Sequence, residues 1–132
     1  MRHASLGTVL GEFESLVLIA LLRLGNGAFG AAIHREIVAR TGRAIAAGAV
    51  YVTLDRLEAK RMVCSYVGNP SRERGGRRRK HYLLDTAGQR ALLRAYRMFL
   101  SMIAGMQEEF DTLSASLAPI KTVRTTYSRS KW

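Results

Sequence analysis

Six fixed positive charges and one negative fall within ten residues, Arg72-Glu73-Arg74-Gly75-Gly76-Arg77-Arg78-Arg79-Lys80-His81. Clustered Lys and Arg release condensed counterions when they meet nucleic-acid phosphate, whatever the base sequence. The Gly75-Gly76 pair is the turn chemistry of a tight ribbon tip. Strand-like runs flank it, Met62 to Val67 and Lys80 to Leu84, and Asn69-Pro70-Ser71 breaks the regularity between them. By itself such a charge run is a solvated loop, so its meaning depends on the elements around it.

Three helical patterns precede the loop. In the first, Phe13, Leu16, Val17, Ala20 and Leu24 keep helical spacing, while Leu18, Ile19, Leu21 and Leu22 widen the apolar stripe almost all round. The run is about half a membrane span and follows Glu12 and Glu14, which makes it a buried helix rather than a targeting segment. It needs cover on two sides, and a second protomer can supply part of it. Gly25-Asn26-Gly27-Ala28-Phe29-Gly30 then matches the spacing of a dinucleotide-binding glycine motif. That motif works between a strand and a helix of a parallel sheet, whereas here a helix precedes it in a chain too short for such a sheet. A helix stop and a tight turn fit better.

Ala32, Ile33, Ile37 and Val38 mark the second helix, which Thr41-Gly42 ends. His34 on this helix has no second ligand at metal spacing, so it takes an exposed or capping role. The third helix buries Val50, Leu54 and Leu57. Its other side carries Gly48, Tyr51, Val52, Asp55 and Arg56, a mixture of small, aromatic and charged residues. Gly48 and Ala49 allow the helix N-terminus, with its unpaired N–H groups, to approach a phosphate closely. The competing reading of Tyr51 is packing against the second helix.

Two helices joined by a short turn, then strand, basic tip and strand, predict a winged helix-turn-helix: a mainly α protein with a small β-wing, α+β in class. In that geometry the third helix enters the major groove and the tip reaches the backbone or the minor groove. Gly48, Tyr51, Val52 and Arg56 are then the expected contacts from the helix. Arg72, Arg74, Arg77, Arg78, Arg79 and Lys80 are those from the wing.

The residues also resemble a known family. Leu10-Gly11-Glu12-Phe13-Glu14, Gly48-Ala49-Val50-Tyr51, Leu54-Asp55-Arg56-Leu57-Glu58, the run Gly76-Arg77-Arg78-Arg79-Lys80-His81-Tyr82-Leu83-Leu84 and Thr86-Ala87-Gly88 are similar to the PadR family of bacterial transcriptional regulators. The resemblance covers about residues 10 to 92. It implies a dimeric winged-helix protein, usually a repressor of a nearby gene, with Tyr51 and the wing arginines at the DNA. Two departures stand out. Ala46 stands where the family often has a serine, and Arg61 occupies the usual glycine after the third helix. A missing N-cap side chain costs about 0.5 to 2 kcal/mol, and an arginine held at positive φ costs roughly 1 kcal/mol or more.

Beyond the wing, Thr86 and Gln89 have capping-box spacing. The helix they open carries Leu92, Tyr96, Phe99, Ile103, Met106, Phe110, Leu113 and Leu117, alternating gaps of four and three. Over such a length that is a coiled-coil seam, predicted to join two protomers, with packing on the first helix of the same chain as the other reading. Met98, Met102 and Met106 give it adaptable volume rather than a cofactor box. The expected organisation is a DNA-binding domain over 1–85, a dimerisation helix over 86–118 and a basic, flexible tail over 119–132.

Composition narrows the function classes. Of a net charge of +11 on 132 residues, +5 lies in 72–81 and +4 in 121–132, leaving +2 elsewhere. Two basic segments on a near-neutral body suit a surface that faces one polyanion. Cys64 is the single cysteine, so no intrachain disulfide forms, in keeping with a reducing cytoplasm. His3, His34 and His81 are scattered and no reacting constellation is framed, so neither catalysis nor a metal or other cofactor is expected. Surface ion pairs with Arg56 and Arg61 are the expected role of Asp55 and Glu58. The expected partners are a palindromic duplex operator and a second copy of the chain, with room for a small apolar effector between protomers and no membrane. The alternative is a non-specific nucleic-acid-binding or packaging protein, or a protein adaptor, on the same fold.

Overall fold

A computed structural model of the chain describes residues 9–68 and 79–118. The tip cations Arg72, Arg74, Arg77 and Arg78, and the expected basic tail, lie outside the described residues. Among the described residues, five helices and three strands follow in the order α1 (Glu12–Leu24), β1 (Ala28–Phe29), α2 (Gly30–Thr41), α3 (Ala47–Ala59), β2 (Val63–Val67), β3 (Lys80–Leu84), α4 (Thr86–Ile103) and α5 (Gln107–Leu117). The strands form one antiparallel sheet in the order β1-β3-β2. The chain divides into two compact units, 1–97 and 98–132, with the boundary inside α4.

The core of the first unit keeps most of the residues the helical periodicity selects, but on α1 it is turned toward Leu18 and Leu21, while Leu24 of the expected seam is 41% exposed. Val17, Leu18 and Leu21 from α1, Ile33 and Ile37 from α2, and Val50, Leu54 and Leu57 from α3 meet Val63, Tyr82 and Leu84 of the sheet. Burying each large side chain is worth about 1.5–3 kcal/mol. Alternation along the strands then fixes what each sheet face carries. Tyr82 and Leu84 turn inward to the core, and the register places His81 opposite Phe29 on one side and Tyr66 on the other.

One buried ion pair ties α1 to the end of α3. Glu14, 7% exposed, accepts a hydrogen bond from the Gly11 N–H at 3.0 Å and pairs with Lys60 Nζ at 2.8 Å. Burial alone raises its pKa, but the Lys60 ammonium and the Gly11 N–H outweigh it and hold the carboxyl below its ordinary value. The half-exposed Lys60 keeps much of its hydration, which limits the desolvation cost of the pair.

Three local expectations are corrected. Gly25 to Gly30 is more than a stop and a turn, because Ala28 and Phe29 form a third strand against β3. Helix α4 starts at Thr86 itself, so Thr86 and Gln89 do not make a capping box; Gln89 Nε2 donates to the Leu84 carbonyl at 3.3 Å instead. Gly88 lets this first turn lie on the entrance to β2, since a Cβ there would collide with the Met62 carbonyl. Most consequentially, the 86–118 helix is broken. Ile103 ends α4, Gly105 takes φ +80° and α5 restarts at Gln107. The Leu92 to Leu117 seam therefore does not run along one helix. Glycine is a poor helix former at home in a left-handed stop, while Glu108 and Glu109 favour a new N-terminus.

Arg61 has φ +64°, so the cost of a side chain in left-handed backbone applies to it. The Arg61→Gly variant should gain about 0.5–1 kcal/mol, read as a higher urea midpoint at unchanged slope. Glu14→Gln should lose about 1–3 kcal/mol at neutral pH. Because folding lowers the Glu14 pKa, its contribution is complete above the ordinary value of 4.5 and fades as pH falls through the folded value. The difference between wild type and Glu14→Gln should therefore shrink in acid, as measured by denaturant melts across that range.

Candidate nucleic-acid interface

The approach to α3 is fixed by a side chain from α2. His34 Nε2 donates to the Ile45 carbonyl at 2.6 Å; a carbonyl only accepts, so this nitrogen carries the proton. Ala46, the N-cap of α3, offers no side-chain bond, and the Ala49 N–H turns back to its carbonyl at 3.1 Å. Gly48 is exposed, and a Cβ there would meet nothing within 4 Å. Among the described residues nothing requires that residue to be small.

Around α3 the outward side is the one the sequence singles out. Val50, Leu54 and Leu57 are fully buried, whereas Tyr51, Val52, Asp55 and Arg56 are exposed. Tyr51 packs against the second helix, the competing reading of its role. Its ring lies against Gly30 at the start of α2, yet 43% of it is open to solvent.

The base of the wing separates its cations. On the outer face of the sheet, the His81 ring stacks on Tyr66 at 5.1 Å and meets the edge of Phe29 at 6.0 Å. His81 Nδ1 donates to the Gly27 carbonyl at 2.6 Å, and the Arg79 guanidinium sits 4.3 Å over the Phe29 ring. The last described ladder bond before the tip runs from the Gly68 N–H to the Arg79 carbonyl, 2.7 Å. On the inner face, Lys80 Nζ lies 3.5 Å from Glu58, whose other oxygen accepts from Ser65 Oγ at 2.7 Å. Glu58 thus takes partners from the sheet rather than from Arg56 or Arg61. Arg79 and Lys80, named together as wing contacts, leave β3 on opposite sides.

Behind α3 lies Tyr82, 1% exposed. Burial, with the Asp55 and Glu58 carboxylates and Tyr51 adding to it, pushes its phenol pKa up to about 12. It stays neutral in any biological medium. Sequence reasoning missed the His81 junction with Phe29 and Tyr66, treating His81 as one of three scattered histidines. The available signal was the period-two placement of Arg79 and His81 on one strand face. Among the described residues, no group of three His, Cys, Asp or Glu side chains is arranged to hold a metal ion. The half-buried Cys64 is a free thiol.

A helix-turn-helix whose second helix presents an exposed mixed face, followed by a two-stranded wing with a third short strand, is a winged helix-turn-helix. The comparisons agree. The family model described as Transcriptional regulator PadR-like family matches residues 18–94, and the chain belongs to that family. The structure is similar to a PadR family transcription regulator from hypervirulent Clostridium difficile, with a TM-score of 0.59 and 26% identity over 76% of this chain and 98% of that one. It is similar also to a PadR family regulator from Eggerthella lenta, with a TM-score of 0.57 and 26% identity over 74% and 83%. RosR of H. salinarum, at 24% identity, a TM-score of 0.59 and coverage of 81% and 92%, shares the fold. No curated protein matches the sequence. The chain is therefore a DNA-binding regulator of the PadR family, and family and fold are those of transcriptional regulators rather than enzymes. Among the described residues no helix is long and apolar enough to cross a membrane.

The uncapped start of α3 gives a direct stability test. Ala46→Ser supplies an acceptor to the first-turn N–H groups and should raise stability by about 0.5–2 kcal/mol in thermal or chemical denaturation.

Proposed function

We propose that the chain acts as a homodimeric, cytoplasmic repressor of a nearby operon that reads a palindromic operator. The observation that carries this reading is the face of α3. Tyr51, Val52 and Arg56 are exposed beside a glycine whose small size serves no packing need among the described residues, in a chain of a DNA-binding family. Gly48 admits the groove wall, Tyr51, Val52 and Arg56 meet base edges, and Lys80 and the arginines at 72, 74, 77, 78 and 79 meet phosphates.

Dimerisation is supported by apolar surface that one chain leaves open. In the first unit an apolar recess of about 520 Å³ is lined by Ile19, Leu22, Leu84, Leu92, Leu93 and Tyr96, with Gln89 at its edge. Leu22 and Tyr96 on its walls are 62% and 59% exposed. In the second unit Phe99, Ile103, Met106, Phe110, Leu113 and Leu117 are all exposed. Surfaces of this kind mark interaction sites. A second copy covers them in the proposed dimer, through Leu92 and Tyr96 together with those six residues. The recess has the size and lining of a site for a small apolar effector.

Two protomers related by a two-fold axis read half-sites about one duplex turn, roughly 34 Å, apart. Selection of bound fragments from a random DNA pool should recover an inverted repeat. Equal affinity for every duplex would favour the packaging alternative, and a single-chain mass in solution would exclude the dimer. If about three of these cations in each protomer engage phosphates at once, about six in the dimer, log K against log salt should slope near −5. Replacing Arg77, Arg78 and Arg79 by alanine should weaken binding to all sequences and flatten that slope. Tyr51→Ala or Arg56→Ala should cost about 1–3 kcal/mol on the operator and relax base preference.

A further inference from the structure

We propose that Gly30, a residue of α2 with no side chain to offer DNA, is a positioning residue for sequence reading because it forms the seat of the Tyr51 ring. The inference rests on Tyr51 acting as a DNA contact, as argued above. Gly30 is buried, and a Cβ built on it would lie 2.6 Å from Tyr51 Cζ and 2.8 Å from Tyr51 Oη. Both distances are far inside van der Waals contact. Backbone conformation does not demand glycine here, since Gly30 is not among the residues with positive φ. The requirement is purely one of space.

Two features decide which side gives way when that space is filled. The backbone at Gly30 is held in place, because Phe29 pairs with His81 in the β1–β3 ladder and its ring is fixed by the His81 edge contact and the Arg79 guanidinium. His81 also holds the carbonyl of Gly27, and the Gly27 N–H donates to the Tyr82 carbonyl at 2.8 Å. Tyr51 is half open to solvent and turns about its own side-chain bonds. A methyl group at position 30 therefore displaces the Tyr51 ring and leaves the strand and helix where they are. Without its seat the ring loses its fixed orientation, and ordering it again at the groove costs affinity for the correct sequence alone.

The full-length chain with Gly30→Ala, Tyr51→Ala and both together separates this role from a structural one. Affinities are measured on the operator recovered by selection and on a random duplex, with thermal midpoints for each protein. Gly30→Ala should keep or raise the midpoint, because alanine is the better helix former. It should lower the operator-to-random affinity ratio about tenfold, the scale of one lost base contact, at an unchanged salt slope on random DNA. The double variant should discriminate no worse than Tyr51→Ala. A Gly30→Ala protein that melts earlier, or one that keeps full discrimination while Tyr51→Ala loses it, overturns the inference alone. Tyr51→Ala with undiminished discrimination overturns the assignment of Tyr51, and the role of Gly30 with it.

Discussion

The pairing of β3 on both of its edges is the constraint to which the rest of the first unit refers. Its inner side chains, Tyr82 and Leu84, close the core against the helices, and its outer side chain His81 grips the turn after α1 through the Gly27 carbonyl. The Asn26 side chain accepts from the Leu84 N–H at 3.0 Å, so the turn is bound to the strand at both of its ends. The start of α2 follows directly from β1, and the start of α3 is tied to α2 through His34. The pose of the exposed α3 face is thus fixed by a central strand that donates and accepts across two ladders. A neutral, buried Tyr82 suits that position, because a phenolate among Asp55 and Glu58 would be doubly disfavoured.

The same first unit explains why α1 is apolar almost all round. One side is consumed by the core, with Val17, Leu18 and Leu21 fully buried, while Ile19 and Leu22 border an open recess together with Leu92, Leu93 and Tyr96 of α4. A helix serving only its own core would carry polar residues there. The surplus is a physical argument for an apolar partner, and the further apolar side chains of α5 extend it. Breaking the helix at Gly105 alters the form of that argument. Two shorter apolar helices with a left-handed turn between them present their faces separately, whereas a coiled coil needs one unbroken register.

Much of this was legible in the sequence because long periodic segments report their own burial. The seams of α2 and α3, much of that of α1, the two wing strands and the exposed side of α3 all follow from spacing. What escaped detection has a common physical character. Strand β1 is two residues long, too short for any period to register, and exists only because β3 offers an open edge. The role of His81 depends on three strands meeting, which no local window contains. Gly105 was visible, but the four-three alternation around it was stronger than one glycine in a pattern count, even though Gln107-Glu108-Glu109 spelled a fresh helix start. Gly30 looked like part of a turn, because the ring it accommodates lies 21 residues further along the chain.

The wing cations illustrate how charge counted in a sequence differs from charge available to a polyanion. Lys80 faces the Glu58 carboxylate across 3.5 Å and its ammonium lies 5.8 Å over the Tyr82 ring, so a phosphate reaching it must compete with a carboxylate already in place. Arg79 leans on Phe29 through the face of its guanidinium, a contact that adds no negative charge and restricts a rotamer-rich side chain before any ligand arrives. The strand's alternation sends Arg79 outward over Phe29 and Lys80 toward Glu58 of α3, where it braces the wing against the helix it flanks.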